Sequence, residues 1–214
     1  MLFDGRHHKK VIKAIAIVTA IVFAGFGLVV GGMAVGGGCA AADPLVQAVD
    51  DAQERVTTAQ ANLSSAQAAA KASPKSATAK ADLAQARTDV GIALSSLAQA
   101  RLAVSGTDPQ ALADAQAAAK SAPGDQDVVL GLITIATSQN NPSSALPAVA
   151  AYTRINPRDA QMYAYWGQLA EQAGQRNQAI LAYQRFLDLA PQDTVAPDIR
   201  QRLAELTKQG SSAG

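Results

Sequence analysis

The side chains that could do chemistry are few, and most of them stand together near the N-terminus. His7 and His8 lie among Arg6, Lys9, Lys10 and Lys13, and the single cysteine, Cys39, follows a long apolar run. Beyond residue 40 there is neither histidine nor cysteine. A Ser–His–Asp triad, a Cys–His nucleophile and a Cys/His metal centre are therefore excluded from the body of the chain, and one cysteine cannot close an intramolecular disulfide. His7-His8 offers two metal-ligating rings, but a basic flank beside a membrane span accounts for the pair more simply. Carboxylates remain. Asp50, Asp51 and Glu54 form one close group and Asp125 with Asp127 another, near enough in sequence for acid–base work. Both fall in the first turns of predicted helices, where acids offset the positive helix end. No histidine, lysine pocket or glycine-rich phosphate loop accompanies them. The expectation is a non-catalytic protein with no cofactor and no metal.

The elements that carry these residues are helical by composition. Alanine, the best helix former, dominates, and aromatics make up 4% of the chain. The formal net charge of +1 conceals an asymmetry. The segment 1–13 carries +3, the segment 14–42 carries no charge, and the remainder carries 14 basic against 16 acidic side chains. A near-neutral body without a basic stripe argues against nucleic acid as a partner.

Residues 14–36, within "AIAIVTAIVFAGFGLVVGGMAVGGG", are uncharged with one hydroxyl, Thr19. About 20 residues of helix cross a hydrocarbon core of ~30 Å. The basic cluster before the run and Asp43, Asp50 and Asp51 after it place residues 1–13 in the cytoplasm and the body outside. The reading is a single-pass signal anchor at the cytoplasmic membrane, with a Gly/Ala linker at 37–43. A lipoprotein signal cut before Cys39, or ordinary cleavage near Ala40–Ala42, are the alternatives; Gly36 stands where a branched apolar residue is usual for lipidation at Cys39. Gly27/Gly31 and Gly32/Gly36 offer close-approach faces to another transmembrane helix.

Past the linker, Leu45, Val49, Ala52, Val56, Ala59, Leu63, Ala66 and Ala70 alternate at four and three positions. Ala79, Leu83, Ala86, Val90, Ala93, Leu97, Ala100 and Val104 repeat the pattern. These are two equal heptad seams, and Pro74 with a capping Ser76 makes them an antiparallel hairpin over 44–104. Alanine-rich seams bury little, so the hairpin is expected to pack on the helices C-terminal to it or on a second copy, as a homodimer.

Pro123, Pro157 and Pro191 then recur with a period of 34, each followed two positions on by Asp125, Asp159 and Asp193. Proline ends one helix and the aspartate caps the next. Residues 160–193 supply the fullest unit: Trp166 at a large apolar position, Gly167 at the small crossing position, Gly174 in the turn, then Ala179, Tyr183, Phe186 and Pro191. The unit before it keeps Leu132, Ala136, Ala145, Val149, Tyr152 and Pro157, with Ile133 for the small residue and Asn140 for the turn glycine. An earlier one keeps Gly106, Ala111, Ala115 and Ala118, with the second hairpin arm as its first helix. Thr194 is expected to cap a last helix, with Pro197 in its first turn, Ile199, Leu203 and Leu206 on its inner face and Arg200, Arg202, Glu205 and Lys208 outside. Repeats and capping helix occupy 105–209, and 210–214 form a tail.

A helix–turn–helix period of 34 resembles the tetratricopeptide repeat (TPR) family, in a membrane-anchored, bacterial-type setting. The resemblance covers about Ser76 to Asp193 and weakens toward its start. It implies an all-α protein: a transmembrane helix, a long antiparallel hairpin, and a right-handed α-solenoid with a capping helix. It also implies a concave groove for other proteins or peptides, lined here by Asp127, Leu130, Thr134, Thr137 and Ser138, then Gln161, Ala164, Gln168, Glu171 and Gln172. The family's Lys/Asn/Arg clamp for a terminal carboxylate is missing from those positions. The expected role is a scaffold or adaptor on the extracytoplasmic side, with a chaperone-like accessory of export or envelope assembly as the alternative. The aromatics around Tyr152–Phe186 read mainly as core, with Tyr163 and Tyr165 partly exposed.

Overall fold

The computed structural model describes residues 43–211, with side chains to residue 208. The 14–36 span, Cys39, His7 and His8, residues 37–42 of the linker and residues 212–214 of the tail lie outside the described residues; Gly210 and Ser211, expected in the tail, belong to the last helix. Within them every regular element is a helix: α1 (Pro44–Ala72), α2 (Ala77–Val104), α3 (Pro109–Ser121), α4 (Gln126–Ser138), a 3₁₀ turn (Pro142–Ser144), α5 (Leu146–Ile155), α6 (Ala160–Gln172), α7 (Arg176–Leu189) and α8 (Ala196–Ser211). No described helix is long and apolar enough to cross a membrane.

The proline punctuation builds one turn four times. Ser73, Ala122, Asn156 and Ala190, each directly before a proline, share nearly the same backbone, with φ from −135° to −118° and ψ from 60° to 67°. The proline ring keeps its predecessor out of the helical region. In each turn the fourth residue (Ser76, Asp125, Asp159, Asp193) donates its N–H to the first residue's carbonyl, at 3.0–3.2 Å. Its side chain then caps the next helix. Ser76 Oγ accepts from the Ala79 N–H at 3.2 Å, Asp125 Oδ1 from Val128 at 3.0 Å and Asp159 Oδ1 from Met162 at 3.1 Å. The fourth case differs in which N–H the aspartate holds. Asp193 Oδ1 accepts from Val195, and the Thr194 hydroxyl donates back to that same oxygen, so Asp193 rather than Thr194 is the side chain that turns the chain into α8.

The hairpin is held by small apolar contacts. Ala52, Val56 and Ala59 of α1 are buried against Val90, Ala93 and Leu97 of α2, with Val49 and Leu63 partly buried beside them. The seam opens at the end away from the Ser73–Ser76 turn, where Leu45 and Val104 are 45% and 48% exposed. There α2 turns its other face to α3: Ala98 is fully buried in the main core, and Arg101 Nε lies 3.1 Å from Asp114 Oδ2. Helix α2 thus belongs to two assemblies, as an arm of the hairpin and as the first helix of the array. Gly91 makes this possible. A Cβ there would lie 2.6 Å from Ala122 Cβ and 3.0 Å from the Ala118 carbonyl oxygen, so any side chain would push α3 away.

A continuous core runs from Ala98 through Val129, Leu132 and Val149 to Phe186 and Ile199. Two helix ends along it are related by the repeat period. Gly174 has φ +71° and Asn140 φ +53°. Gln175 donates to the Ala170 carbonyl at 2.7 Å and Gly174 to Glu171 at 3.0 Å; Asn141 donates to Ala136 at 2.8 Å and Asn140 to Thr137 at 3.1 Å. Both are Schellman ends. A side chain in this left-handed region is strained, and asparagine bears the strain better than most. Asn140→Gly is therefore expected to stabilise the fold by roughly 0.5–1 kcal/mol, and Gly174→Ala to destabilise it by about 1–2 kcal/mol. Urea midpoints at an unchanged slope would show both; a destabilising Asn140→Gly would mean that the asparagine side chain contributes more than its backbone costs.

Candidate protein-binding surface

Helices α4 and α6 each begin at an aspartate cap and end at a Schellman turn, so their residues correspond one to one across the repeat period. Asp127 pairs with Gln161, Leu130 with Ala164, Thr134 with Gln168, Thr137 with Glu171 and Ser138 with Gln172. Asp127, Thr134, Ser138, Gln161, Gln168 and Gln172 are exposed; Leu130, Thr137, Ala164 and Glu171 are half-buried. The inner faces of the same helices go into the core through Val128, Leu132, Ile135, Met162, Leu169 and Ala170.

The surface is almost neutral and rich in hydrogen-bonding groups. The Thr134 and Ser138 hydroxyls are committed to the backbone, donating to Leu130 O at 3.0 Å and Ile135 O at 2.9 Å. Gln161 Nε2 donates weakly to the Tyr165 hydroxyl at 3.4 Å. Gln168 and Gln172 have no side-chain partner among the described residues, so their amides are free to pair with a peptide backbone.

Glu171 is differently placed from the other residues expected to line a groove. Its Oε1 accepts from Arg202 Nε at 2.7 Å and is also reached by Arg202 Nη2, and its Oε2 accepts from the Tyr183 hydroxyl at 3.3 Å. Arg202 Nη1 donates in turn to Glu205 at 2.7 Å. Burial, then the Glu171 carboxylate, hold the Tyr183 phenol well above its ordinary pKa. Arg202, expected on the outer face of α8, instead turns inward and ties that helix to α6 and α7. Ile199 and Leu206 lie buried behind it, with Leu203 half-buried.

The residues assigned to the repeat core divide by depth. Ala179 is 0% exposed, Phe186 1% and Tyr183 3%, with Gly167 also buried; Trp166 is half-buried, and Gly174 and Pro191 are exposed at the turns. Tyr165 is half-exposed as expected. Tyr163 is not: it is 9% exposed, stacked on Trp166 with centroids 6.1 Å apart, under the Arg185 guanidinium at 6.0 Å. Its partners lie on its own helix and on α7, which helix phase alone does not specify.

A further tie has no signal in the residue spacing. The Tyr152 hydroxyl, at the end of α5, donates to Asp159 Oδ2 at 2.8 Å, while Oδ1 of the same carboxylate caps α6. Burial and then the Asp159 carboxylate push the Tyr152 pKa up to about 12 from 10.0. The folded state thus favours the protonated phenol. The tie is fully present below the unfolded pKa of 10.0 and is lost as pH rises through about 12. Between those values wild-type stability should fall more steeply than that of Tyr152→Phe, as read from urea midpoints across that range. Parallel curves for the two proteins would assign the hydroxyl no such role.

No protein-family model matches this chain, and no curated protein matches it. Among solved structures, one titled "MamA RS-1 ArsTM double mutant" is similar at 18% identity and a TM-score of 0.37, covering 81% of this chain and 99% of that one. A likeness at that level carries no inference, and the architecture above rests on the chain's own helix pairs and turns.

Proposed function

We propose that this chain is a non-catalytic, membrane-anchored adaptor that binds other proteins through the first-helix faces of its repeats. The observation that supports this best is the matched polar row on α4 and α6: positions one repeat apart, exposed together, with unpaired amides at Gln168 and Gln172. Such a row suits an extended segment of a partner, whose backbone finds donors and acceptors at a regular spacing. The anchor is residues 14–36, and the charge asymmetry around it favours a body on the extracytoplasmic side of the cytoplasmic membrane.

A photo-crosslinking residue at Gln161 or at Gln168 tests the groove, with one at the exposed Leu181 of α7 as control. One recurrent adduct from the first two positions and none from the third is the expected result. Many different adducts with newly exported chains would instead favour a chaperone-like accessory. If neither groove position captures a protein in cells, the groove reading fails. A reporter fused after Gly214 that is active only outside the cytoplasm is expected; activity only inside would reverse the orientation.

A further inference from the structure

The polar row on α4 and α6 has a counterpart in the first unit, and there it is covered. The main core sets the register: Leu94, Ala98 and Leu102 of α2 pack into it as Val128, Leu132 and Ala136 of α4 do, each 34 positions on. By that register Ala93 answers to Asp127 and Gln161, and Ala100 to Thr134 and Gln168. Both alanines lie in the hairpin cluster with Ala52, Val56 and Ala59 of α1. Where α4 and α6 present polar side chains, α2 presents an apolar stripe of Val90, Ala93, Leu97 and Ala100, with an antiparallel helix laid along it.

The hold on that helix is slight. Among the described residues no side-chain hydrogen bond or ion pair joins α1 to α2, whereas Arg101 and Asp114 fix α2 to α3. Three of the six residues buried in the seam are alanines, which contribute little apolar area each. No residue of α1 belongs to the main core. A helix held so weakly on a continuous apolar stripe is replaceable by another with the same seam. The structure itself displays one sequence that fits the stripe, α1.

We infer that α2 carries a helix-binding site open to exchange, and that its occupant in trans is α1 of a second copy of this chain. Each copy then lays its α1 on the α2 of the other, a closed two-fold exchange that keeps every seam contact. The seam is the same in both forms, so the balance is set by the Ser73–Ser76 turn and by the cost of bringing two chains together. The site is separate from the groove on α4 and α6 and stands whether or not that groove binds anything.

Val56 and Leu97 are each 2% exposed in the seam, so an unpaired aspartate at either one unseats the helix pair. Full chains carrying one of two affinity tags after Gly214 are co-expressed. A Leu97→Asp chain keeps a sound α1, and a Val56→Asp chain keeps a sound α2. This mixed pair is expected to be retrieved through one tag at least about tenfold better than either variant paired with itself. Wild-type chains should retrieve one another, and Val56→Asp in both copies should end that. Circular dichroism verifies that each variant keeps its helices. Should Leu97→Asp unfold, a labelled peptide of residues 44–72 is titrated into the Val56→Asp chain instead. It is expected to bind saturably, and the same peptide carrying Val56→Asp to stay free. Failure of the folded mixed pair, equal retrieval in every pairing, wild-type chains that stay apart, or a peptide that does not bind would each overturn the proposal.

Discussion

Phe186→Ala is expected to cost about 3–5 kcal/mol and to leave the C-terminal half of the array unfolded or nearly so. Among the described residues Phe186 is the largest side chain that is fully buried, 1% exposed, in the same cluster as Tyr183, Ala196 and Ile199. It stands near the end of α7, where that helix meets the capping helix α8. Truncation to alanine loses the transfer energy of the ring and leaves a cavity that two helices fixed by proline turns cannot easily close. Small domains have only about 5–15 kcal/mol in total, so the loss should be visible as a large drop in helical signal on mild urea titration. A cost under about 1.5 kcal/mol would mean that the site collapses freely and that α8 is not held through it.

The second large effect concerns a pair. A Cβ on Gly167 would lie 2.3–2.8 Å from three Tyr183 ring atoms, and that ring is buried with its hydroxyl held by Glu171. Gly167→Ile should therefore destabilise the fold by about 3 kcal/mol or more, even though glycine itself is a poor helix former. The preceding unit carries different residues at the corresponding positions. One repeat earlier stand Ile133 and Val149, a larger residue on the first helix and a smaller one on the second. By register, Ile133 with Val149 is the counterpart of Gly167 with Tyr183, with the bulk divided differently between the two helices. Tyr183→Val alone should also destabilise, by leaving a cavity, but combining it with Gly167→Ile should recover at least about 1.5 kcal/mol of the summed losses. Chemical denaturation of the four proteins of the cycle measures this. Additivity within about 0.5 kcal/mol would show that the two positions do not share space.

What the sequence reveals and what it hides divide along physical lines. The P-x-D turns are legible because a proline ring and a short capping side chain act within four positions. Asn140 in the place of the turn glycine is legible too, since the left-handed conformation admits few residue types. The heptad positions locate the hairpin and its centre. The repeat period already makes its second arm the first helix of the array, but does not show which residues form that second face, because Gly91, Ser95 and Ala98 are small and carry no apolar periodicity of their own. Arg202 lies at the border of a helix face, and its direction is set by a partner outside its local stretch, Glu171, two helices before it. The burial of Tyr163, by contrast, follows helix phase: it falls between Ala170 and Gly167 on the inner side of α6. The polar row on α4 and α6 follows from helix phase and period.

The hairpin's position also determines how the molecule answers a pull. Helix α1 packs along α2, while α2 is fastened on its other face to α3 and α4. The start of α1 lies beside the end of α2, the end clamped into the array. Tension entering at Asp43 therefore does not shear the whole seam at once; it peels α1 from Val49 toward the Ser73–Ser76 turn, one alanine contact at a time. Each step gives up little, and the core around Phe186 is untouched. With the anchor proposed above, the 29 residues of α1, a helix about 44 Å long, are the length that such a peel would release.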